Sequence, residues 1–257
     1  MNVSRASLYY RRKLPEKDWA LKVRIEEELR KRPSYGSRRL AQALGMDRKR
    51  VRRVMRLFGI RPYRRHGKKY RKRKVKRTFP NLLFEVMPSY PNHVRVTDFT
   101  ELIFHGQKVY VSTILDLFTR QLMDVQIAVR KGAALTVATL AHALFNHPKP
   151  VILHSDNGSE YTATAYLDLL EASRSRDQRP AVPGRTNTKS FYDKFKIDFG
   201  DPNRFASLGE LVAEVYRTMW EYNHERIHSA LKMPPAVFAE KLAMCNKNGE
   251  KFAGNTV

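Results

Sequence analysis

The chain has 257 residues, of which 42% are apolar, so its length and composition favour one large or two modest globular domains over wholesale disorder. It carries 49 Lys and Arg against 25 Asp and Glu, a formal net charge of +24, which indicates a polyanionic partner. One cysteine excludes a disulfide scaffold or Cys-rich zinc site, and the lack of a long apolar run or a signal peptide predicts a cytoplasmic protein without a membrane partner.

The positive charge is concentrated near the N-terminus. Residues 1–80 contain 29 Lys and Arg against 6 Asp and Glu, whereas residues 81–257 contain 20 against 19. This distribution predicts a basic module at 1–62, a basic linker at 63–80, a near-neutral domain at 81–245 and a flexible polar tail at 246–257.

The basic module has the apolar spacing of three helices. The first covers residues 18–32, the second Ser37 to Leu44 and the third Arg48 to Phe58, with Gly45 in the turn and Asp47 as the N-cap of the third. A short helix, a glycine turn and an Arg-rich helix are typical of a helix-turn-helix. An ordinary helical hairpin with a basic exterior is the alternative. The side chains expected to face DNA are Arg48, Lys49, Arg52, Arg53 and Arg56.

The linker contains a dense basic run, Arg64–Arg77. Like charges at this density repel one another, which indicates either a solvated linker or localisation tail, or contact with a phosphate backbone. We favour phosphate contact. The residues expected to make it are Arg64, Arg65, Lys68, Lys69, Arg71, Lys72, Arg73 and Lys74.

The C-terminal domain begins with three β-rich runs, at 93–104, 108–118 and 120–129, which predict an antiparallel meander. A helix at 132–146, a short buried strand at 150–154 and a helix at 162–172 follow. Strands first, then strands alternating with helices, predict an α/β domain with a mixed sheet.

Two carboxylates stand out by position. Asp98 lies inside the first strand, where Asp is disfavoured, and Asp156 lies just past the buried strand. Brought together, two such oxygen ligands would bind Mg²⁺ or Mn²⁺ for phosphodiester chemistry. The alternative is that Asp98 is a solvent-facing strand residue and Asp156 a turn former.

Several motifs carry a specific resemblance over nearly the whole chain. They are PSYGSRRLAQAL at 33–44, KRVRRVMRLFGI at 49–60, TDFT at 97–100, DLFTR at 116–120, HSDNGSEY at 154–161 and YNHERIHSALKMPPAVF at 222–238. In this order they resemble the insertion-sequence transposases of the OrfB type, whose integrase catalytic core has an RNase H-like fold similar to that of retroviral integrases.

The resemblance implies a mixed five-stranded sheet and a prokaryotic, nucleoid-associated enzyme that cuts and transfers DNA strands. It implies two Mg²⁺ or Mn²⁺ ions and no zinc, with Asp98 bridging both ions and Asp156 holding one. The implied partners are the element's terminal repeats, target DNA and further copies of the chain on DNA. A terminal motif of structural or DNA-contacting role would comprise Tyr222, Asn223, Arg226 and His228.

The sequence departs from this family at its third acid. The family has Glu in a helix reading ESFYxxFK, whereas this chain has KSFYDKFK at 189–196, so Lys189 replaces the acid. An ammonium group cannot bind Mg²⁺. Asp193, one turn later, is a weak surrogate because it is displaced by about 6 Å. A second departure is Arg95, near a position where the family commonly has Trp.

The segment before Lys189 lacks the apolar strand and the Ser-Pro-Trp-type loop of the family, which leaves open whether the edge strand of the sheet is kept or lost. One hypothesis is that residues 173–189 are translated in a shifted frame. Permitted codons for Pro180 to Lys189 encode Gly-Ser-Pro-Trp-Gln-Asn-Glu-Tyr-Gln in that frame, followed by the first base of a Glu codon. The alternative is a diverged relative with a genuine lysine. The sequence therefore predicts either an impaired transposase or a non-catalytic DNA-binding remnant that binds element ends or represses.

Overall fold

The computed structural model describes residues 14–63, 86–155, 158–173, 182–183 and 189–247. The chain divides into two compact units, Met1–Arg64 and Arg65–Val257. Each unit has its own packing.

The first unit contains helices α1 (Leu14–Lys31), α2 (Ser37–Leu44) and α3 (Arg48–Leu57). Gly45 adopts the left-handed conformation at the end of α2, with φ of 61°. The Asp47 carboxylate accepts hydrogen bonds from the backbone N–H groups of Lys49 and Arg50, at 2.8 and 3.2 Å, so the predicted N-cap is confirmed. The buried apolar side chains of this unit include Leu21, Ile25, Leu40, Val51 and Val54.

The second unit is built on one mixed sheet. Strands β1 (Val94–Phe104), β2 (Gln107–Asp116) and β3 (Leu122–Ala128) form the predicted antiparallel meander. His105 and Gly106 join β1 to β2, both with positive φ, as a two-residue turn requires. Strand β4 (Ile152–Ser155) pairs in parallel with β1.

A fifth strand is present at the sheet edge, so the sheet has the five strands that the resemblance implies. Strand β5 (Val182–Pro183) pairs in parallel with β4 and completes the order β3-β2-β1-β4-β5. The segment lacks the apolar run of a longer strand, and Pro183 has no N–H to donate. An edge strand tolerates this loss because only one neighbouring strand needs its backbone.

Helices cover both faces of the sheet. Helices α4 (Ala133–Asn146) and α5 (Thr164–Ser173) follow β3 and β4. Helix α6 (Lys189–Phe199) and helix α7 (Leu208–His224) contribute to the larger apolar cluster, with a short 3₁₀ turn at Pro202–Arg204 between them. Helix α8 (Pro235–Lys247) follows α7.

Arg95 is buried within this sheet, with 1% of its surface exposed. It lies on β1 opposite Asp116 of β2, and its Nη2 donates to Asn92 Oδ1 at 2.5 Å. Burial lowers the pKa of Arg95 to about 10, against the opposing charge of Asp116. A charge therefore occupies a core position at this departure from the family pattern.

Candidate active site and DNA-binding surface

Asp98 lies in the middle of β1, opposite Thr113 of β2. Its side chain is half-buried, and Oδ1 accepts a hydrogen bond from the backbone N–H of Phe99 at 2.9 Å. Because side chains alternate along a strand, Asp98 and Thr113 face the same side of the sheet, towards α6. The carboxylate is therefore held by a rigid element rather than by a loop.

Helix α6 is attached to β1 by side chain to backbone hydrogen bonds. Tyr192 Oη donates to the carbonyl oxygen of Asp98 at 2.7 Å and also accepts from Thr113 Oγ1, at 2.7 Å. Lys196 Nζ donates to the carbonyl oxygen of Glu101 at 2.6 Å. Burial, and then the Asp98 charge, raise the pKa of Tyr192 well above its usual range, so this hydroxyl remains a donor. These contacts set the register of α6 against Asp98.

An aromatic stripe anchors the same helix in the core. The buried side chains are Phe191, Tyr192, Phe195 and Phe199. Lys189 is the first residue of α6 and lies one turn before Tyr192. Positions one turn apart lie on the same side of a helix, so position 189 lies on the side of α6 that carries Tyr192. Asp193, the predicted surrogate, has an exposed side chain.

The second predicted carboxylate, Asp156, lies outside the described residues. Strand β4 ends at Ser155, immediately before it. The parallel ladder pairs Val96 with His154. Within the described part of the chain, no group of three or more His, Cys, Asp or Glu side chains is arranged to hold a metal ion.

The residues after Asp156 pack against β1 from the other side. Tyr161 is 2% exposed, and its ring lies 6.4 Å from that of Phe99 and 5.4 Å from that of Tyr166. Glu160 is also buried and pairs with Lys131, at 2.8 Å. The sequence did not indicate these contacts, because Lys131 and Glu160 are far apart in the chain and their pairing depends on the order of the strands in the sheet.

The outer face of α3 is basic, as predicted. Arg48, Lys49, Arg52 and Arg56 are exposed. Arg53 differs, because its Nη1 donates to Asp18 of α1 at 2.7 Å and its Nη2 contacts the other carboxylate oxygen. That hydrogen bond is the main reason that the pKa of Asp18 is lowered. Arg53 therefore contributes to the contact between α1 and α3, and its expected role in DNA binding stays a prediction.

The basic run predicted to contact phosphates lies outside the described residues. This applies to Arg64, Arg65, Lys68, Lys69, Arg71, Lys72, Arg73 and Lys74. No helix in the described ranges is long and apolar enough to cross a membrane.

The terminal motif makes internal contacts. Asn223 accepts from Leu122 N at 2.8 Å and donates to Leu122 O at 2.9 Å, so its amide pairs with the edge strand β3 as a neighbouring strand would. Tyr222 donates to the carbonyl oxygen of Arg120. Arg226 pairs with Asp198 at 2.9 Å, with both side chains buried. Of the two roles left open for this motif, these contacts provide the structural one.

Comparison with known proteins identifies the family of this chain. The integrase core domain model matches residues 88–179. A 31 kDa protein of insertion element IS600 from Shigella sonnei is 30% identical over 253 residues, which cover 88% of this chain and 89% of that protein. The chain belongs to the insertion-sequence transposases with an integrase catalytic core. The resemblance seen in the motifs is confirmed, and by family the chain is a DNA strand transferase.

Two further matches agree with this assignment. The InsK protein of insertion sequence element IS150 from Escherichia coli strain K12 is 29% identical over 247 residues, covering 90% of this chain and 87% of that protein. The intasome of simian T-cell lymphotropic virus, solved with a PP2A regulatory subunit, matches at 12% identity with a TM-score of 0.51, over 79% of this chain and 67% of that chain. The structural match confirms the predicted fold, an RNase H-like integrase core.

Proposed function

We propose that this transposase cleaves and joins DNA strands with divalent metal ions bound by Asp98 and Asp156, and that Lys189 impairs this activity. The register of β1 and β4 is the observation that carries the proposal. The ladder pairs Val96 with His154, and the two carboxylates each follow two residues later. Continued by two residues, the same register would set Asp156 beside Asp98, because neighbouring strands are about 4.8 Å apart.

Two carboxylates fit one Mg²⁺ or Mn²⁺ ion. Mg²⁺ is commonly bound through one or two carboxylates, with substrate phosphate and water completing its shell. When bound, such ions stabilise the charge on the attacking and leaving oxygens of a phosphodiester. Asp98 supplies a ligand on a rigid strand, and a second ion needs the acid that is missing at position 189.

The contacts of α6 explain why position 189 matters. Tyr192 binds the Asp98 backbone, and a residue one turn before it faces the same side of the helix. A Glu at 189 would therefore point its carboxylate towards Asp98. Lys189 would bring an ammonium group there, which has no lone pair for a metal ion and repels cations.

We propose that the first unit binds the terminal repeats of the element. Arg48, Lys49, Arg52 and Arg56 form an exposed basic face on α3, and neutralised phosphates release counterions. The basic run 64–77 would add further phosphate contacts. Strand transfer between two element ends and a target requires more than one active site, so we propose that the chain assembles as a homo-oligomer on DNA.

A nicking assay tests the catalytic part of this proposal. The substrate is a duplex carrying the terminal repeat of the element that encodes the chain, with Mg²⁺ or Mn²⁺ added. We expect Lys189→Glu to nick at least tenfold faster than the natural chain. Lys189→Gln is the matched control, because it removes the charge without supplying a carboxylate. Activity of the natural chain within tenfold of Lys189→Glu would contradict the proposed impairment, and adding Asp98→Asn should abolish any gain.

A second function is favoured by the same lysine. With Lys189 in place, the chain would act as a non-catalytic binder of element ends, or as a repressor. We expect the natural chain to bind the terminal-repeat duplex equally well with EDTA or with Mg²⁺, as measured by fluorescence anisotropy. Metal-dependent binding together with nicking would exclude this alternative.

A further inference from the structure

One cation on the basic face of α3 is held by a buried carboxylate of α1. Lys49, Arg52, Arg53 and Arg56 have the i, i+3, i+4, i+7 spacing of a single stripe along α3, and all four are exposed. Arg53 Nη1 donates to Asp18 Oδ2 at 2.7 Å, and its Nη2 donates to Oδ1. The Asp18 side chain is 3% exposed and that of Arg53 is 44% exposed. Asp18 is therefore the fixed partner, and Arg53 still presents part of its guanidinium group to solvent.

The two hydrogen bonds fix the plane of the Arg53 guanidinium group. Each oxygen of Asp18 accepts from a different Nη atom, so the carboxylate lies at the end of the guanidinium group. A guanidinium group carries five N–H donors in a rigid fork, and this pair uses one from each Nη atom. The edge formed by Nε–H and one Nη–H can still donate two parallel hydrogen bonds to a further acceptor.

The charge of the pair favours a DNA base over a phosphate as that acceptor. The hydrogen bond from Arg53 is the main cause that lowers the pKa of Asp18, so the carboxylate is ionised at neutral pH. It offsets the positive charge of Arg53, and phosphate binding depends on that charge. The edge of a base is uncharged, and its recognition depends on the direction of the donors. A donor held in one orientation also loses less conformational freedom on binding.

Guanine is the base that matches the remaining donors. It presents O6 and N7 as neighbouring acceptors in the major groove, and a bidentate contact from Arg to these two atoms is the commonest base-specific contact. Helix α3 begins at Arg48, so Arg53 lies in its second turn. In a helix-turn-helix, the N-terminal part of the second helix is the part that reaches the base edges.

We propose that Arg53 donates to O6 and N7 of a guanine in the terminal repeat, and that Asp18 positions the guanidinium group for this contact. The inference rests on the proposed function, because it requires α3 to bind the terminal repeat. It adds to that function a residue that determines sequence specificity and a second residue that acts through it.

Replacing single guanines by 7-deazaguanine tests the contact. This base lacks the N7 acceptor but keeps base pairing and the phosphate backbone. Binding of the full chain is measured by fluorescence anisotropy on the terminal-repeat duplex, on its 7-deazaguanine versions and on a scrambled duplex. We expect one replacement to weaken binding of the natural chain by about tenfold.

The Arg53→Lys variant should lose this response. Lysine keeps the charge and can pair with Asp18, but it lacks the planar fork. Binding to the scrambled duplex should therefore stay unchanged, while the sensitive guanine no longer matters. Arg56→Met is the matched control, because it removes an exposed cation of the same stripe. It should weaken binding to both duplexes, reduce the slope of log K against log salt concentration by about 0.9 and keep the response to 7-deazaguanine.

Asp18→Asn separates positioning from a structural role. It should reduce the response to 7-deazaguanine when Arg53 is present and have no effect on it in the Arg53→Lys background. It should not weaken binding to the scrambled duplex, because it removes a negative charge. Equal weakening on both duplexes would overturn the positioning role of Asp18. Thermal unfolding followed by circular dichroism checks that each variant is folded.

The binding assay distinguishes failure of this inference from failure of the proposed function. A natural chain that prefers the terminal repeat but responds to no 7-deazaguanine would overturn the inference alone, as would a full response in Arg53→Lys. A natural chain that binds the terminal repeat no better than the scrambled duplex would refute the proposed role of the first unit, and this inference with it.

Discussion

Replacing Arg95 by methionine should stabilise the core domain. The side chain is 1% exposed, and its Nε has no hydrogen-bond partner among the described residues. Methionine is also unbranched and flexible, although shorter, and carries no charge. Asp116, the opposing carboxylate, does not depend on Arg95, because it accepts hydrogen bonds from the backbone of Asn92, Phe118 and Thr119 and from the Thr119 hydroxyl.

The expected gain follows from the pKa. Burial lowers the pKa of Arg95 from the usual value of arginine to about 10. At 1.36 kcal/mol per pKa unit, the charged form is destabilised by about 3 kcal/mol. Loss of the hydrogen bond to partly exposed Asn92 offsets about 1 kcal/mol. The net stabilisation is therefore about 2 kcal/mol.

The destabilisation caused by the Arg95 charge depends on pH. The pKa of Arg95 is lower in the folded state than in the unfolded state, so the unfolded chain holds the proton more tightly. The destabilisation is fully present below pH 10 and is lost as the pH rises from about 10 towards the usual pKa of arginine. The difference in unfolding free energy between Arg95→Met and the natural chain should thus be constant from pH 6 to 9 and narrow above pH 10.

Urea unfolding followed by circular dichroism measures this difference, and Arg95→Lys is the matched control because it retains the charge. A second readout is His147, whose pKa is lowered by burial and then by the Arg95 charge, so an NMR titration should show a higher His147 pKa in Arg95→Met. A variant that unfolds at lower urea concentration than the natural chain would refute the reasoning.

At two other contacts, we expect substitutions to destabilise the protein. Tyr192→Phe should lower the free energy of unfolding in urea by about 1–2 kcal/mol, because it leaves the buried Thr113 hydroxyl without its hydrogen-bond partner. Adding Thr113→Val to the same chain should recover part of that loss. A double variant whose loss equals the sum of the two single losses would contradict this account. Arg226→Met should lower the free energy of unfolding by about 3 kcal/mol, because buried Asp198 loses its ion pair. The double variant Arg226→Met/Asp198→Leu should have a thermal unfolding midpoint closer to that of the natural chain. A single variant as stable as the double variant would argue against the pair.

Local signals in the sequence predicted the helices and the meander well. Gly45 and Asp47 fix the turn between α2 and α3 through their own backbone and side-chain preferences, so neighbouring residues suffice to place them. Burial was less predictable even there. In α2, Ala41 is buried and Ala43 is exposed, because the position of α1 decides which face is covered.

Contacts between distant segments could not be predicted in this way. Arg53 belongs by its position to the basic face of α3, and only the packing of α1 brings Asp18 to it. Asn223 is a plain polar residue in the sequence, and its pairing with β3 depends on the path of α7 across the sheet edge. The two-residue strand β5 has no periodicity to detect, because its pairing comes from the backbone of β4.

Apart from Arg95, the departure from the family pattern lies in the residues that precede the buried part of α6. From Phe191 onward the helix buries its aromatic residues and places Tyr192 on Asp98, as an acid-bearing helix at this position would require. A chain that had diverged throughout its active site would have no reason to keep this register. The intact register therefore favours a local change, such as a shifted frame over residues 173–189, and it explains why a single substitution at Lys189 is expected to restore a metal ligand. The genomic codons over this segment decide the origin: if their shifted frame does not encode Gly-Ser-Pro-Trp-Gln-Asn-Glu-Tyr-Gln before a Glu codon, the lysine is a genuine substitution.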